Sequence, residues 1–159
     1  MKQEINQNRR RALKTGGSLG LLGLLSAVGL VGPELAHADW KKSAFEAKTM
    51  DEALAALGVA APENSSAIVL AVPEIAENGS VVPVTVSSSL AHVEQISILV
   101  DKNPSVLAAH FVFPEGTDGF VTARVKMGQT AMVTALVKAD GKFYRASKEV
   151  KVTAGGCGG

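Results

Sequence analysis

The stretch that decides the fold is residues 121–127, which read Val-Thr-Ala-Arg-Val-Lys-Met. Apolar and polar side chains alternate strictly along it, and this period of two is typical of a β-strand with one face in the core and the other in solvent. A second stretch, 95–101, behaves in the same way, because Ile96, Ile98 and Val100 alternate with Gln95, Ser97 and Asp101. Turn signals follow both stretches, at Lys102-Asn103-Pro104 and at Gly128. This part of the chain is therefore predicted to form short strands joined by turns.

Five further strands are predicted on either side of this pattern. The first of them, Ala67 to Val72, is nearly all apolar, which is typical of a strand that is buried on both faces. The next covers residues 82–87, and Pro83 predicts that it lies at an edge or contains a bulge, because proline cannot donate a hydrogen bond to a neighbouring strand. The next strand has a core-facing row of alternate residues, Leu107, Ala109, Phe111 and Phe113. Two longer strands follow it, Ala131 to Lys138 and Phe143 to Val152. Hairpin signals stand before the strand 82–87, at Asn78-Gly79, and between the last two strands, at Asp140-Gly141.

About seven short strands without helices between them predict an all-β fold, an antiparallel β-sandwich of immunoglobulin-like kind over residues 63–153. An eight-stranded barrel is the alternative. One short helix, Lys41 to Gly58, is predicted within the N-terminal segment 39–62, because apolar residues recur at helical spacing and Gly58 supplies a stop. Two occupants could cover the outer face of the strand Ala67 to Val72, namely this helix or a partner chain.

Residues 1–38 have the order of a secretory signal peptide. Arg9-Arg10 and the basic residues around them precede an uncharged run rich in Leu and Gly, and Ala36-His37-Ala38 is a small-x-small cleavage site. The arginine pair indicates the twin-arginine route, so we expect a periplasmic protein that is cleaved after Ala38 and is not held in a membrane afterwards. A retained membrane anchor is the alternative.

Charge and composition of the mature part exclude several classes of function. Cleavage after Ala38 leaves 159 − 38 = 121 residues with 11 basic and 13 acidic side chains, so no nucleic-acid or anionic-membrane surface is expected. A copper site would need His and Met ligands close to a cysteine, but only glycines follow Cys157, and His92 and His110 read as surface or interface residues. Ser87-Ser88-Ser89 has no base pattern near it. We therefore predict no metal site, no bound cofactor and no catalytic residue.

The segment 154–159 contains the only cysteine of the chain, in the sequence Gly155-Gly156-Cys157-Gly158-Gly159. Glycine offers no surface to bury and has the largest backbone entropy to lose, so this segment is predicted to be a flexible arm. From Val152 the arm could carry the sulfur outward by roughly 16 Å. No cationic side chain lies beside Cys157 in the sequence to favour a thiolate. These features favour a covalent attachment point over a catalytic nucleophile.

The chain resembles the SoxY family, the sulfur-carrying subunits of the periplasmic Sox thiosulfate-oxidising system. The resemblance covers essentially the whole mature part and rests on Phe45 to Leu54, on Pro73 to Gly79 with the following Val81 to Val84, and on the terminal 155–159. It implies that thiosulfate-derived intermediates are carried as covalent adducts of Cys157, and that the chain is a carrier rather than an enzyme. It also implies a heterodimer with a SoxZ-like subunit. The carrier would visit a haem-containing conjugating enzyme, a sulfate-releasing hydrolase and, in some organisms, a sulfane dehydrogenase.

Two other functions compete with the carrier. An exported adhesion-type sandwich could dimerise through Cys157, and the final Gly158-Gly159 resembles the activated end of ubiquitin-like sulfur carriers. The latter need adenylation in the cytoplasm, so the leader counts against them.

Overall fold

The computed structural model describes residues 42–153. Two short helices come first, α1 Lys42–Glu46 and α2 Met50–Ala56. Nine strands follow: β1 Glu63–Asn64, β2 Ile68–Ala71, β3 Ile75–Ala76, β4 Val82–Ser88, β5 Val93–Val100, β6 Leu107–Val112, β7 Phe120–Val125, β8 Ala131–Ala139 and β9 Lys142–Val152. The predicted leader 1–38 and the glycine arm 154–159 lie outside the described residues.

The strands form two sheets. The larger has six strands in the order β1-β9-β8-β5-β6, with β3 also paired to β9, and the smaller has the order β2-β4-β7. All pairings between the longer strands are antiparallel, whereas the two-residue strands β1 and β3 run parallel to β9. Seven of the nine strands have four or more residues. The predicted antiparallel β-sandwich is confirmed.

The core between the sheets follows the predicted alternation. In 121–127 the side chains of Val121, Val125 and Met127 are buried, while Thr122 and Lys126 are exposed. They meet fully buried residues of both sheets, including Val82, Val84, Val86, Ile96, Ile98, Val133 and Val137. Each such side chain contributes about 1.5–3 kcal/mol when it leaves water. This burial provides the rigid body from which the last strand emerges.

The single predicted helix is wrong, because two helices separated by residues 47–49 are observed. Thr49 has extended backbone angles and is the N-cap of α2, forming a capping box in which its side chain and that of Glu52 each accept a backbone N–H. The break also frees the carbonyl of Ala47, which accepts a hydrogen bond from the N–H of Val106 at 3.2 Å. The helices pack on the outer face of the larger sheet, in a second cluster built from Ala44, Ala53, Leu57, Leu99, Leu107 and Leu136.

The smaller sheet differs from the prediction for Ala67 to Val72. Strand β2 lies at its edge and pairs only with β4, and the side chain of Val69 is 59% exposed, so the strand is not buried on both faces. The two helices cover the larger sheet and not this one. Pro83 lies in the central strand β4, beyond the end of β2, which pairs only with Thr85 to Ser88. At Pro83 the strand β4 therefore has a neighbour on one side alone.

The two hairpin predictions had opposite outcomes. Asp140 and Gly141 join β8 to β9 with φ angles of +48° and +73°, as a tight hairpin with two left-handed residues requires. Asn78-Gly79 is not a hairpin, because β3 on one side pairs with β9 and β4 on the other side pairs with β2 and β7. The turn instead carries the chain from one sheet to the other.

The predicted core row on β6 is wrong at one end. A β-bulge shifts the pairing between Ile98 and Leu99, so that Ile98 lies opposite Ala109 and Leu99 lies opposite Leu107. Leu107 consequently packs in the cluster beneath the helices, whereas Ala109, Phe111 and Phe113 pack against the core between the sheets.

Candidate functional site

The predicted attachment site, Cys157, and its flanking residues Gly155, Gly156, Gly158 and Gly159 lie outside the described residues. The structure describes the chain up to Thr153, so it shows what precedes the arm. We call Lys151, Val152 and Thr153 the arm root. The structure brings neither of the described histidines to the arm root: His92 lies in the turn before β5, at the opposite end of the sandwich, and His110 lies in β6.

The arm root is held by hydrogen bonds on two sides. The N–H of Val152 donates to the hydroxyl Oγ1 of Thr130 at 3.0 Å, just before the first paired residue of β8. On the other side, the N–H of Lys151 donates to the carbonyl of Glu74 at 3.0 Å, and the N–H of Thr153 donates to that of Ala76 at 3.1 Å. Thr153 is therefore fixed to the sandwich only four residues before Cys157.

The segment 74–81 lies along the arm root, on the side opposite Thr130, and its sequence explains the conformation that it adopts. Ala76 faces the core and is 6% exposed, which leaves Ile75 facing outward from β3. Asn78 follows β3 and accepts a hydrogen bond on Oδ1 from the N–H of Ser80 at 2.8 Å, in the way that Asx turns do. The next carbonyl, that of Gly79, accepts from the N–H of Met127 at 2.7 Å. These bonds tie the segment to both sheets.

The side chains of this segment that face solvent are partly apolar. Ile75 is 58% exposed and Val81 is 51% exposed, while Glu74, Glu77 and Lys151 are also exposed. Nothing among residues 42–153 covers the two aliphatic side chains. We call Ile75 and Val81 the root platform.

The histidines and serines considered for chemistry have ordinary local contacts. Nδ1 of His110 lies 2.9 Å from Oγ of the buried Ser97, which is its neighbour across β5 and β6. His92 is exposed in the turn before β5, with a φ of +49°. Ser88 accepts a hydrogen bond on Oγ from the N–H of Leu90 at 3.2 Å and so shapes the same turn. Within 42–153 no three His, Cys, Asp or Glu side chains lie close enough together to hold a metal ion.

One charged contact was not anticipated from the sequence. Oε2 of Glu94 lies 2.5 Å from Nζ of Lys138, and Oε1 accepts a hydrogen bond from the N–H of Gly141 at 2.6 Å. These two interactions with the carboxylate, the Lys138 contact above all, lower the pKa of Glu94 below its ordinary value. Because Glu94 lies in β5 and Gly141 in the β8–β9 turn, the contact fastens that hairpin to its neighbour, at the end of the sandwich opposite the arm root.

Comparison with known proteins identified one family. A sequence profile described as "Sulfur oxidation protein SoxY" matches residues 53–157, which include α2 from Ala53 onward, every strand, the arm root and Cys157. The solved structure of the sulfur carrier protein SoxY from Chlorobium limicola f thiosulfatophilum is 42% identical, with a TM-score of 0.60, over 66% of this chain and 96% of that chain. A superoxide reductase (neelaredoxin) from Ignicoccus hospitalis is 18% identical, with a TM-score of 0.49, over 54% of this chain and 79% of its own. A search of curated protein sequences found no match.

Proposed function

Because the chain belongs to the SoxY family, we propose that it carries thiosulfate-derived intermediates as covalent adducts on Cys157 and presents them to partner enzymes during thiosulfate oxidation. A sulfur carrier role in sulfur oxidation follows from the family, and it separates this chain from the adhesion-type alternative. The identity of the attachment residue, Cys157, and of the substrate, thiosulfate, goes beyond the family assignment and is what we propose.

The observation that supports Cys157 as the attachment point is the anchored root beside it. Hydrogen bonds from Lys151, Val152 and Thr153 fix the chain to the sandwich, and the next three residues before the cysteine carry only a methyl group and two hydrogen atoms as side chains. An arm of this kind has a defined origin and little bulk. It could enter active sites of different shapes without favouring one of them.

The carrier needs a thiol but no catalytic group of its own. Joining the Cys157 sulfur to the sulfane sulfur of thiosulfate forms an S–S bond and releases one proton and two electrons, which a haem-containing conjugating enzyme would accept. A hydrolase would then release sulfate from the adduct with water. We therefore propose that the chain is not itself an enzyme, and that it holds no cofactor beyond the covalent sulfur.

A permanent SoxZ-like subunit is also proposed, and the smaller sheet offers it a surface. The register places Val69, Ser87 and Phe120 in one row across the outer face, Ala71, Thr85 and Thr122 in a second, and Pro83 and Arg124 in a third. We call these eight residues the small-sheet face. Only Arg124 among them is charged, while Val69 is 59% and Phe120 is 58% exposed. A surface that combines exposed apolar side chains with few charges is typical of the centre of an obligate interface, which buries roughly 2,000 Å² or more in total.

Location in the periplasm remains part of the proposal. It rests on the signal sequence that is predicted for residues 1–38, which lie outside the described residues. Among residues 42–153 no helix is long and apolar enough to cross a membrane.

Substitution of the cysteine tests the proposal. Cys157→Ser is expected to abolish thiosulfate oxidation in a reconstituted Sox system, because a hydroxyl cannot accept or hold sulfane sulfur. The free energy of unfolding should change by less than about 0.5 kcal/mol, as for other changes outside a core. Gly158→Ala in the same arm is the matched control and should retain most of the activity. Normal turnover by the serine variant would show that Cys157 is not the attachment point.

A further inference from the structure

The root platform differs from other exposed apolar residues in its position. Ile75 belongs to β3, where Cα partners Ile75–Lys151 and Ala76–Val152 hold it beside the arm root. Val81 ends the turn that begins at Asn78 and immediately precedes β4, whose first residue Val82 is fully buried. Both aliphatic side chains thus belong to the segment that binds the arm root and ties it to the two sheets.

The length of chain between the root and the cysteine limits how far an enzyme can stand from this surface. Cys157 lies four positions beyond Thr153, and a fully extended chain covers at most about 13–14 Å over four positions. An enzyme that reacts with the Cys157 sulfur inside a closed site must therefore bring the entrance of that site close to Thr153. The residues around Thr153, including Ile75, are then the ones that this entrance meets.

The composition of this surface fits a contact that forms and dissociates. Two aliphatic side chains lie among the exposed charged residues Glu74, Glu77 and Lys151, which carry both signs. An apolar centre with a polar surround is the usual anatomy of a protein interface, and a small one gives weak, transient binding. A carrier that passes its cargo between enzymes needs such binding, because each complex must separate before the next one forms.

We propose that the root platform, Ile75 and Val81, is the docking surface for the rim of the active-site entrance in the enzymes that act on Cys157. This inference rests on the proposed carrier function. The rim is expected to present aliphatic or aromatic side chains, and the contact is shared by successive enzymes because the arm root is their common point of approach. Glu74 and Ala76, on either side of Ile75, accept main-chain hydrogen bonds from the arm root, so docking also fixes where the arm begins relative to the entrance.

Steady-state kinetics on a purified sulfate-releasing hydrolase of the Sox system test the docking surface. The substrate is the thiosulfate-loaded carrier, purified from its host with any subunit that accompanies it, and the variant is Ile75→Ser with Val81→Ser. We expect the KM for the loaded carrier to rise about tenfold or more while kcat at saturation stays unchanged, because the substitutions weaken docking and leave the adduct intact. Alkylation of Cys157 by iodoacetamide in the unloaded variant should proceed at the wild-type rate.

Val112→Ser is the matched control, since Val112 is 69% exposed on β6, away from the arm root. Its KM should equal that of the wild type. An unchanged KM in the platform variant, a fall in kcat alone, or loss of the accompanying subunit would each overturn the docking assignment, the last by showing that the platform binds that subunit instead. A wild-type carrier that never becomes loaded would refute the proposed function itself, which is a different result.

Discussion

The outer faces of the two sheets of the sandwich differ in what covers them. On the larger sheet, Leu99 and Leu136 are 0% and 1% exposed because α1 and α2 pack over them. On the smaller sheet, Val69 and Phe120 are more than half exposed, and nothing among residues 42–153 lies over them. The chain therefore completes one face with its own helices and leaves the other available. We interpret the uncovered face of the smaller sheet as the surface that would bind a second subunit.

The largest expected effect comes from the covered face. Leu136→Ala should lower the free energy of unfolding by about 2–5 kcal/mol, because it removes buried methyl groups and leaves a cavity between β8 and the helices. Urea denaturation followed by circular dichroism measures it. Met132→Ala, on the same strand but 39% exposed, is the control and should cost much less. Equal effects of the two substitutions would contradict the packing described for this face.

A change on the small-sheet face should act on association instead of folding. Phe120→Ser is expected to change the free energy of unfolding of the isolated chain by no more than about 0.5 kcal/mol, since its ring is mostly in solvent. The same substitution should weaken binding of a SoxZ-like subunit tenfold or more, because exposed aromatic residues are frequent interface anchors. Titration calorimetry with the purified subunit measures this. Unchanged affinity would place the partner on another surface.

The smallest effect concerns the carboxylate of Glu94, on the larger sheet. Its pKa is lowered by Lys138 and by the N–H of Gly141, so the ionised form is favoured in the folded state. The stabilisation it gives is present above its unfolded-state pKa and is lost as the pH falls through the lower, folded-state pKa. Glu94→Gln should consequently reduce the melting temperature slightly at pH 7, and this reduction should shrink as the pH is lowered through the folded-state pKa. A reduction that stays the same as the pH falls would mean that the charge of Glu94 has no part in fastening the hairpin.

The strands could be predicted from sequence because their signal is local. Alternation in 121–127 is a property of neighbouring residues, and the left-handed pair Asp140-Gly141 specifies its turn by itself. Asn78-Gly79 carries a similar local signal, but a hairpin also needs its two strands to pair with each other. That pairing is decided by distant residues, since β3 binds β9 and β4 binds β2. The bulge that turns Leu107 toward the helices is likewise set by its partner strand.

The candidate site could be predicted only in part, because only some of its features are visible in a local stretch of sequence. Cys157 stands out in the sequence because it is the only cysteine and lies among glycines, and the family resemblance supplied its role. The anchoring of the arm root did not stand out, because it depends on Thr130, Glu74 and Ala76, which are distant in sequence and bind through ordinary main-chain and hydroxyl groups. Exposure of Ile75 and Val81 could also not be read from a stretch that looked like a simple hairpin.

The central claim is that Cys157 carries sulfur compounds, and the intact mass of the native protein tests it most directly. Protein purified from cells that are oxidising thiosulfate should contain, besides the unmodified chain beginning at Asp39, species heavier by sulfane sulfur or a thiosulfate group. Reductant should remove these increments, and the Cys157→Ser variant should lack them. A native protein that is entirely unmodified, or that is a disulfide-linked homodimer without added sulfur, would contradict the account.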